Sequence, residues 1–239
     1  MFIVILGGGV SGLSCGIRLL EAGHSVEVWA RELTPHTTSD VAAAVWYPYR
    51  AWPQERVIAW AKRTYTVLES LAREQPSAGI LSVPGVEVFR RHVEDPWWRD
   101  SVPDFRRARA DELPRVTPPP TDRFIFDDEC EHGIAYVIPR AHDCILGGTV
   151  EEGNASLVPD AEAARGILAR TAPLLPPGAQ LNVVEHKVGL RPGRPTVRLE
   201  AEVFGERVVV HDYGHGGAGV TLSWGCAEEV VQLVSAHAR

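Results

Sequence analysis

Residues 2–13, FIVILGGGVSGL, constrain the fold of this chain more than any other stretch. Phe2 to Leu6 is a short, continuous apolar run, which predicts a strand buried on both faces. Val10, Leu13, Ile17 and Leu20 then recur at helical spacing over 10–22, and Gly23 closes that helix. Ser25 to Trp29 alternates as a second strand, completing a strand–helix–strand unit. The connecting turn carries Gly7-x-Gly9-x-x-Gly12. Gly7 permits the tight turn, Gly9 lets a pyrophosphate approach the backbone, and Gly12 lets helix and strand pack closely. Free N–H groups at the helix start, Val10 and Ser11, favour the phosphate charge together with the helix dipole. Glu32 could accept hydrogen bonds from ribose hydroxyls; Arg31 beside it is the alternative contact to an adenosine.

The remaining pattern predicts helices over 53–75, 160–175 and after Gly219, and strands over 86–93, 135–139, 144–150, 183–190, 196–204 and 207–213. The stretch 115–133 opens on three prolines and an acidic cluster, and reads as a surface linker.

With 24 basic against 31 acidic residues, a net charge of -7, a nucleic-acid surface is excluded as the main function. Four cysteines without C-x-x-C spacing read as reduced thiols, implying a cytoplasmic setting. The nine histidines pair with no cysteine or carboxylate at ligand spacing, so no metal is expected. The apolar N-terminus lacks the basic start of a signal peptide, and no run is long enough to span a bilayer.

Further clusters could carry chemistry. HTTSDVAAAVWYPYR, 36–50, sets three hydroxyls beside small alanines, suited either to phosphate or ribitol oxygens or to a polar turn. GLRPGRPTVRLE, 189–200, holds guanidinium groups on stiff Arg-Pro backbone, either a carboxylate clamp or a solvated basic turn. Tyr136 alternates with apolar residues in a strand, as a core tyrosine would. His132 and His215 are acid–base residues by type, with no partner identifiable from spacing. HDYGHGGAGVTLSWG, 211–225, packs its glycines between a strand and a helix, which implies close approach of something flat. No nucleophile elbow or paired catalytic carboxylates stand out, a silence compatible with cofactor chemistry.

Taken together, ILGGGVSGL (5–13), HTTSDVAAAVWYPY (36–49), YVIPR (136–140), GLRPGRPTVRLE and YGHGGAGVTLSWGCA (213–227) resemble the D-amino-acid oxidase family, in family order along the chain. The resemblance implies a mixed α/β fold: a Rossmann-like FAD-binding domain, 1–75 plus 191–239, and a mostly antiparallel substrate-binding domain, 76–190. It implies FAD as cofactor, with Gly7, Gly9 and Gly12 at the pyrophosphate and Arg31 or Glu32 at the adenosine. Thr38, Ser39, Ala44 and Val45 would lie along the ribitol and isoalloxazine, and Gly216, Gly217, Ala218, Gly219, Val220 and Thr221 would line the ring. Arg191 would clamp the substrate carboxylate, joined by the Tyr136 hydroxyl, and the Gly217 carbonyl would accept the substrate amine. The implied reaction passes a hydride from a D-amino acid to flavin N5 and then electrons to dioxygen. The implied partners are a D-amino acid and dioxygen, with neither nucleic acid nor membrane; a homodimer is the candidate assembly.

Three departures from the family pattern stand out. An internal segment is missing near 115–125, including a strand that ends on a turn against the cofactor. That absence implies either an oxidase or a shortened, catalytically impaired member that binds nucleotide weakly or not at all. Asp212 stands where an amide is usual, and His132 where animal members carry a lid tyrosine.

Overall fold

The computed structural model describes residues 1–109, 123–131 and 133–237. In chain order these form β1 (Phe2–Leu6), α1 (Val10–Glu21), β2 (Ser25–Trp29), α2 (Thr38–Val41), α3 (Gln54–Glu74) and β3 (Gly85–Glu87). After them come β4 (Phe124–Asp127), β5 (Ala135–Pro139), β6 (Cys144–Gly147), α4 (Ala161–Thr171), β7 (Gly193–Phe204), β8 (Arg207–His215) and α5 (Gly219–Ala236). They divide into two compact units, one of Met1–Ser70, Trp97–Pro103 and the chain from Gly189, the other of Leu71–Pro96 and Asp104–Val188.

In the first unit β2 runs parallel to β1, with Phe2 opposite Ser25 and Leu6 opposite Trp29. Helix α1 lies close on this pair because glycines face it. A Cβ on Gly12 would stand 2.1 Å from the Gly7 carbonyl oxygen, and one on Gly16 would stand 3.3 Å from Ile5 Cδ1. The helix ends at Gly23, whose φ of 84° lies in the left-handed region. β7 and β8 form an antiparallel hairpin, Phe204 opposite Arg207. A core of Leu19, Val57, Trp60, Ala61, Leu199, Leu222, Cys226 and Val230 joins α1, α3, β7 and α5.

The second unit holds a sheet in the order β3-β4-β5-β6; β3 and β4 are parallel, and the other pairs are antiparallel. Helix α4 starts on Asp160, whose carboxylate accepts the Ala163 N–H at 2.7 Å. Near its end Arg170 donates to the carbonyls of Ile134 and Gly148, at 3.2 and 2.8 Å.

Four expectations change. β1 is not buried on both faces: Phe2 is 66% and Leu6 80% exposed, because the only strand beside it among the described residues is β2. The linker expected over 115–133 gives way to β4 at 124–127, where Ile125, Phe126 and Asp127 are buried within the sheet. Its residues 115–122, like His132, lie outside the described residues. The strand expected over 183–190 does not form: Val183 and Val184 are exposed, and no described strand pairs with them. A strand needs a neighbour for its backbone groups, so apolar alternation is not sufficient. β3 is also shorter than expected over 86–93, since only Gly85–Glu87 pairs with β4.

Candidate cofactor and substrate site

The site grows from the loop after β1. Gly7 takes φ 122°, a conformation open to glycine, and turns the chain into α1. Gly9 caps α1 in extended conformation without a side-chain hydrogen bond. A Cβ there would sit 3.1 Å from Ser39 Oγ, and that oxygen accepts the Val10 N–H at 2.9 Å. The hydroxyl cluster of 36–50 is thus brought onto the N-terminus of α1.

Ser39 is placed by a capping box. The Asp40 carboxylate accepts the Thr37 N–H at 2.9 Å and the Thr37 hydroxyl at 2.6 Å. These hydrogen bonds, led by the Thr37 hydroxyl, hold the Asp40 carboxyl below its ordinary 3.8. Of the two sequence alternatives the polar-turn bonding is present, and it leaves Ser39 bonded to the N-terminus of α1.

Beyond α2, Ala44 takes φ 61°, uncommon for a residue with a Cβ. The strained segment is pinned on both sides. Trp46 Nε1 donates to the Ala61 carbonyl at 2.9 Å, and the Thr221 hydroxyl bonds both the Tyr47 N–H and the Tyr47 carbonyl, at 3.0 and 2.9 Å. Thr221 is buried, and its hydroxyl holds this segment.

The second wall is the turn from β8 into α5. Gly216 takes φ 56°, and its N–H donates to the Pro192 carbonyl at 3.2 Å, stitching the Arg-Pro stretch to the turn. Arg191 comes alongside: a Cβ on Gly217 would meet Tyr49 Cδ1 at 3.1 Å and Arg191 Nε at 3.5 Å. A Cβ on Gly219, the first residue of α5, would lie 4.0 Å from Val10 Cγ1, the first residue of α1. The N-termini of two helices therefore meet, with a guanidinium beside them. Such a place favours anions through both helix dipoles.

Behind the glycine turn lies a satisfied polar cluster. Asp212 is paired with His215 at 3.1 Å and accepts from the Cys15 thiol at 3.3 Å; the Asp212 and His215 side chains are buried. The carboxylate partner of His215, invisible in spacing, is three residues back along β8. Burial first, and then the charge of Asp212, push the Cys15 and Cys226 thiols up, so both stay protonated and inert.

Arg31 and Glu32 are exposed past the end of β2, with only a 3.8 Å pairing between them. Tyr136 belongs to the second unit, its ring stacked on Phe126 at 5.6 Å and lying over Gly147 and Gly148. Tyr49 was missed; its place in WYPYR after the hydroxyl cluster was the available signal.

The residues present fit a flat, anionic dinucleotide such as FAD, since the side-chain-free cradle at Gly7, Gly9, Gly217 and Gly219 surrounds two helix N-termini. The FAD dependent oxidoreductase family model matches residues 3–125 and 111–233. A D-amino-acid oxidase of Rubrobacter xylanophilus is 40% identical over 312 residues, covering 98% of this chain and 95% of the relative. One of Dictyostelium discoideum is 34% identical over 316 residues, with 97% and 91% covered, and the D-aspartate oxidase of Homo sapiens is 29% identical, with 98% and 94% covered.

Proposed function

Because the chain belongs to the FAD dependent oxidoreductase family, we propose that it deaminates D-amino acids oxidatively, in the cytoplasm, giving keto acids, ammonia and hydrogen peroxide. The meeting of the α1 and α5 N-termini beside Arg191 carries this reading, because it joins a dinucleotide cradle to a carboxylate-binding group. FAD, when bound, would supply the two-electron redox chemistry that couples oxidation at the substrate α-carbon to reduction of dioxygen.

The chain's own residues bind and orient. Gly7, Gly9 and Gly12, with the Ser11 N–H and the α1 dipole, take the pyrophosphate, and the Ser39 hydroxyl, which holds the Val10 N–H, bonds along the same edge. Arg191 takes the substrate carboxylate in a bidentate pair, and the Gly217 carbonyl accepts an amine hydrogen. Two such anchors present one face of the α-carbon, which accounts for selection of one hand. Tyr136 contributes a hydroxyl to the substrate carboxylate. Arg31 or Glu32 reaches the adenosine, Ala44 and Val45 keep backbone near the ring, and Ala218 and Val220 continue the α5 wall. The active assembly is a homodimer, which light scattering reads directly.

The visible spectrum tests this reading. Purified protein supplied with FAD should be yellow, and a D-amino acid added without oxygen should bleach it; a chain that takes up no FAD overturns the proposal. Arg191→Ala should raise KM about 100-fold through loss of the charge-assisted pair, while unchanged KM removes Arg191 from the role. One observation favours a second reading, a shortened member with weak nucleotide binding and impaired catalysis: β1, which carries the glycine loop, lies in a two-stranded sheet with exposed apolar side chains. FAD uptake without bleaching would select it.

A further inference from the structure

Beneath the glycine turn, Asp212, His215 and Cys226 bring one oxygen, one nitrogen and one sulfur within 4.8 Å of one another. Asp212 and His215 stand at the end of β8 and Cys226 stands within α5, so the three grip both sides of the turn. The His215 and Asp212 side chains are 4% and 8% exposed, and Cys226 is fully buried. Sequence spacing pointed to no metal, because these donors lie on separate elements and meet only in the fold.

Charge separates this cluster from an ordinary polar contact. One oxygen of the Asp212 carboxylate meets His215 Nε2 at 3.1 Å, and the other accepts from the Cys15 thiol at 3.3 Å. Among the described residues no arginine or lysine pairs with it. Arg56, whose charge reaches Cys226, is bonded to Glu229 and to the Leu199 carbonyl. A buried carboxylate is costly unless a cation or strong donors meet it, and a thiol is a weak donor. An amide would make the same two contacts without burying a charge. The donor set suits zinc, which takes thiolate, imidazole and carboxylate at about 2.0–2.3 Å and so holds tetrahedral donors about 3.3–3.8 Å apart. The 3.1 Å spacing of Asp212 and His215 and the 4.8 Å limit of the cluster bracket that range. Cys15 supplies what a ligating carboxylate ordinarily has, a donor to its second oxygen.

We propose that Asp212, His215 and Cys226 hold a zinc ion through one carboxylate oxygen, Nε2 and Sγ, with Cys15 positioning the carboxylate and a water in the fourth place. Without the ion the thiols keep their protons and are inert. As the zinc–sulfur bond forms, the Cys226 thiol gives its proton to solvent. The donors are buried, so the ion enters while the chain folds, and it then fixes β8 against α5 under the Gly216–Gly219 turn. None of this depends on FAD or on turnover.

Full-length chain purified from cells grown with added zinc chloride, then desalted, should hold about one zinc per chain by elemental analysis. Chain made with cobalt chloride instead should show, in the difference spectrum against the zinc form, the near-ultraviolet band of thiolate-to-cobalt charge transfer. Cys226→Ser should lose that band and surrender zinc to a chromogenic chelator at least about tenfold more readily. Cys15→Ser should keep the band, since its hydroxyl still donates to Asp212. Cys130→Ser with Cys144→Ser, thiols outside the cluster, should change neither readout. Wild-type chain that holds no zinc, or a cobalt form without the thiolate band, overturns the proposal whether or not any variant folds. So does full zinc affinity in Cys226→Ser, or loss of zinc in the Cys130 and Cys144 pair.

Discussion

FIVIL at the start of the chain and FIFD at 124–127 begin with the same two residues and both become strands. Their fates differ. In β4, Ile125 is 2% and Phe126 5% exposed; in β1, Phe2 and Leu6 stay mostly in water. β4 has a strand on each side, whereas β1 has one neighbour among the described residues. The difference teaches that hydrophobicity sets a strand's demand for cover, and neighbours distant in sequence meet it or fail to.

Truncating the first phenylalanine of one strand and the inner one of the other exposes this contrast most strongly. Phe126→Ala removes a ring stacked on Tyr136 in the buried sheet and should cost about 3–5 kcal/mol in denaturant unfolding. Phe2→Ala should stay within about 0.5 kcal/mol, as exposed positions do. Equal losses would mean that β1 is covered in solution.

Glycines sharpen the comparison at smaller scale. Gly225 is where α5 crosses α3, and a Cβ there would come within 2.3 Å of the Trp60 carbonyl oxygen. Gly225→Ala should therefore cost about 1–3 kcal/mol, because backbone on both sides has to move apart. Gly193, at the open end of β7, has nothing within 4 Å, and Gly193→Ala should leave the melting temperature unchanged or slightly raised.

The smallest expected effect is a pH dependence at the Thr37–Asp40 cap. The Asp40 carboxyl is lowered in the folded chain by the Thr37 hydrogen bonds, so its contribution is full above the unfolded value, 3.8. It is lost as pH falls through the lower folded value. Thermal melts between pH 5 and 3 should show a slightly steeper acid loss for wild type than for Asp40→Asn; parallel curves would remove the cap from this account.

Much of the candidate site was legible because it rests on local backbone demands. Gly7, Gly9 and Gly12 between a strand and a helix, and Gly216 to Gly219 between another strand and helix, are readable wherever they occur. What Thr221, Asp212 and Tyr49 do was not legible. Thr221 spends its hydroxyl on Tyr47, Asp212 pairs with His215 under the turn, and Tyr49 stands beside Gly217. Each role depends on a partner that spacing along the chain does not reveal. The run at 183–190 shows the converse: a good strand pattern stayed irregular for want of a partner.

By itself the sequence determined the strand–glycine–helix start, the flat glycine wall before α5, the arginine on stiff backbone and the family they resemble. These follow from φ preferences, residue periods and side-chain chemistry, which act over a few residues. Only the tertiary structure decided that the N-termini of α1 and α5 meet, that Arg191 lies against Gly217, and that β1 is left open while β4 is sealed. Packing brings together residues far apart in the chain, and burial belongs to that assembly rather than to any one segment.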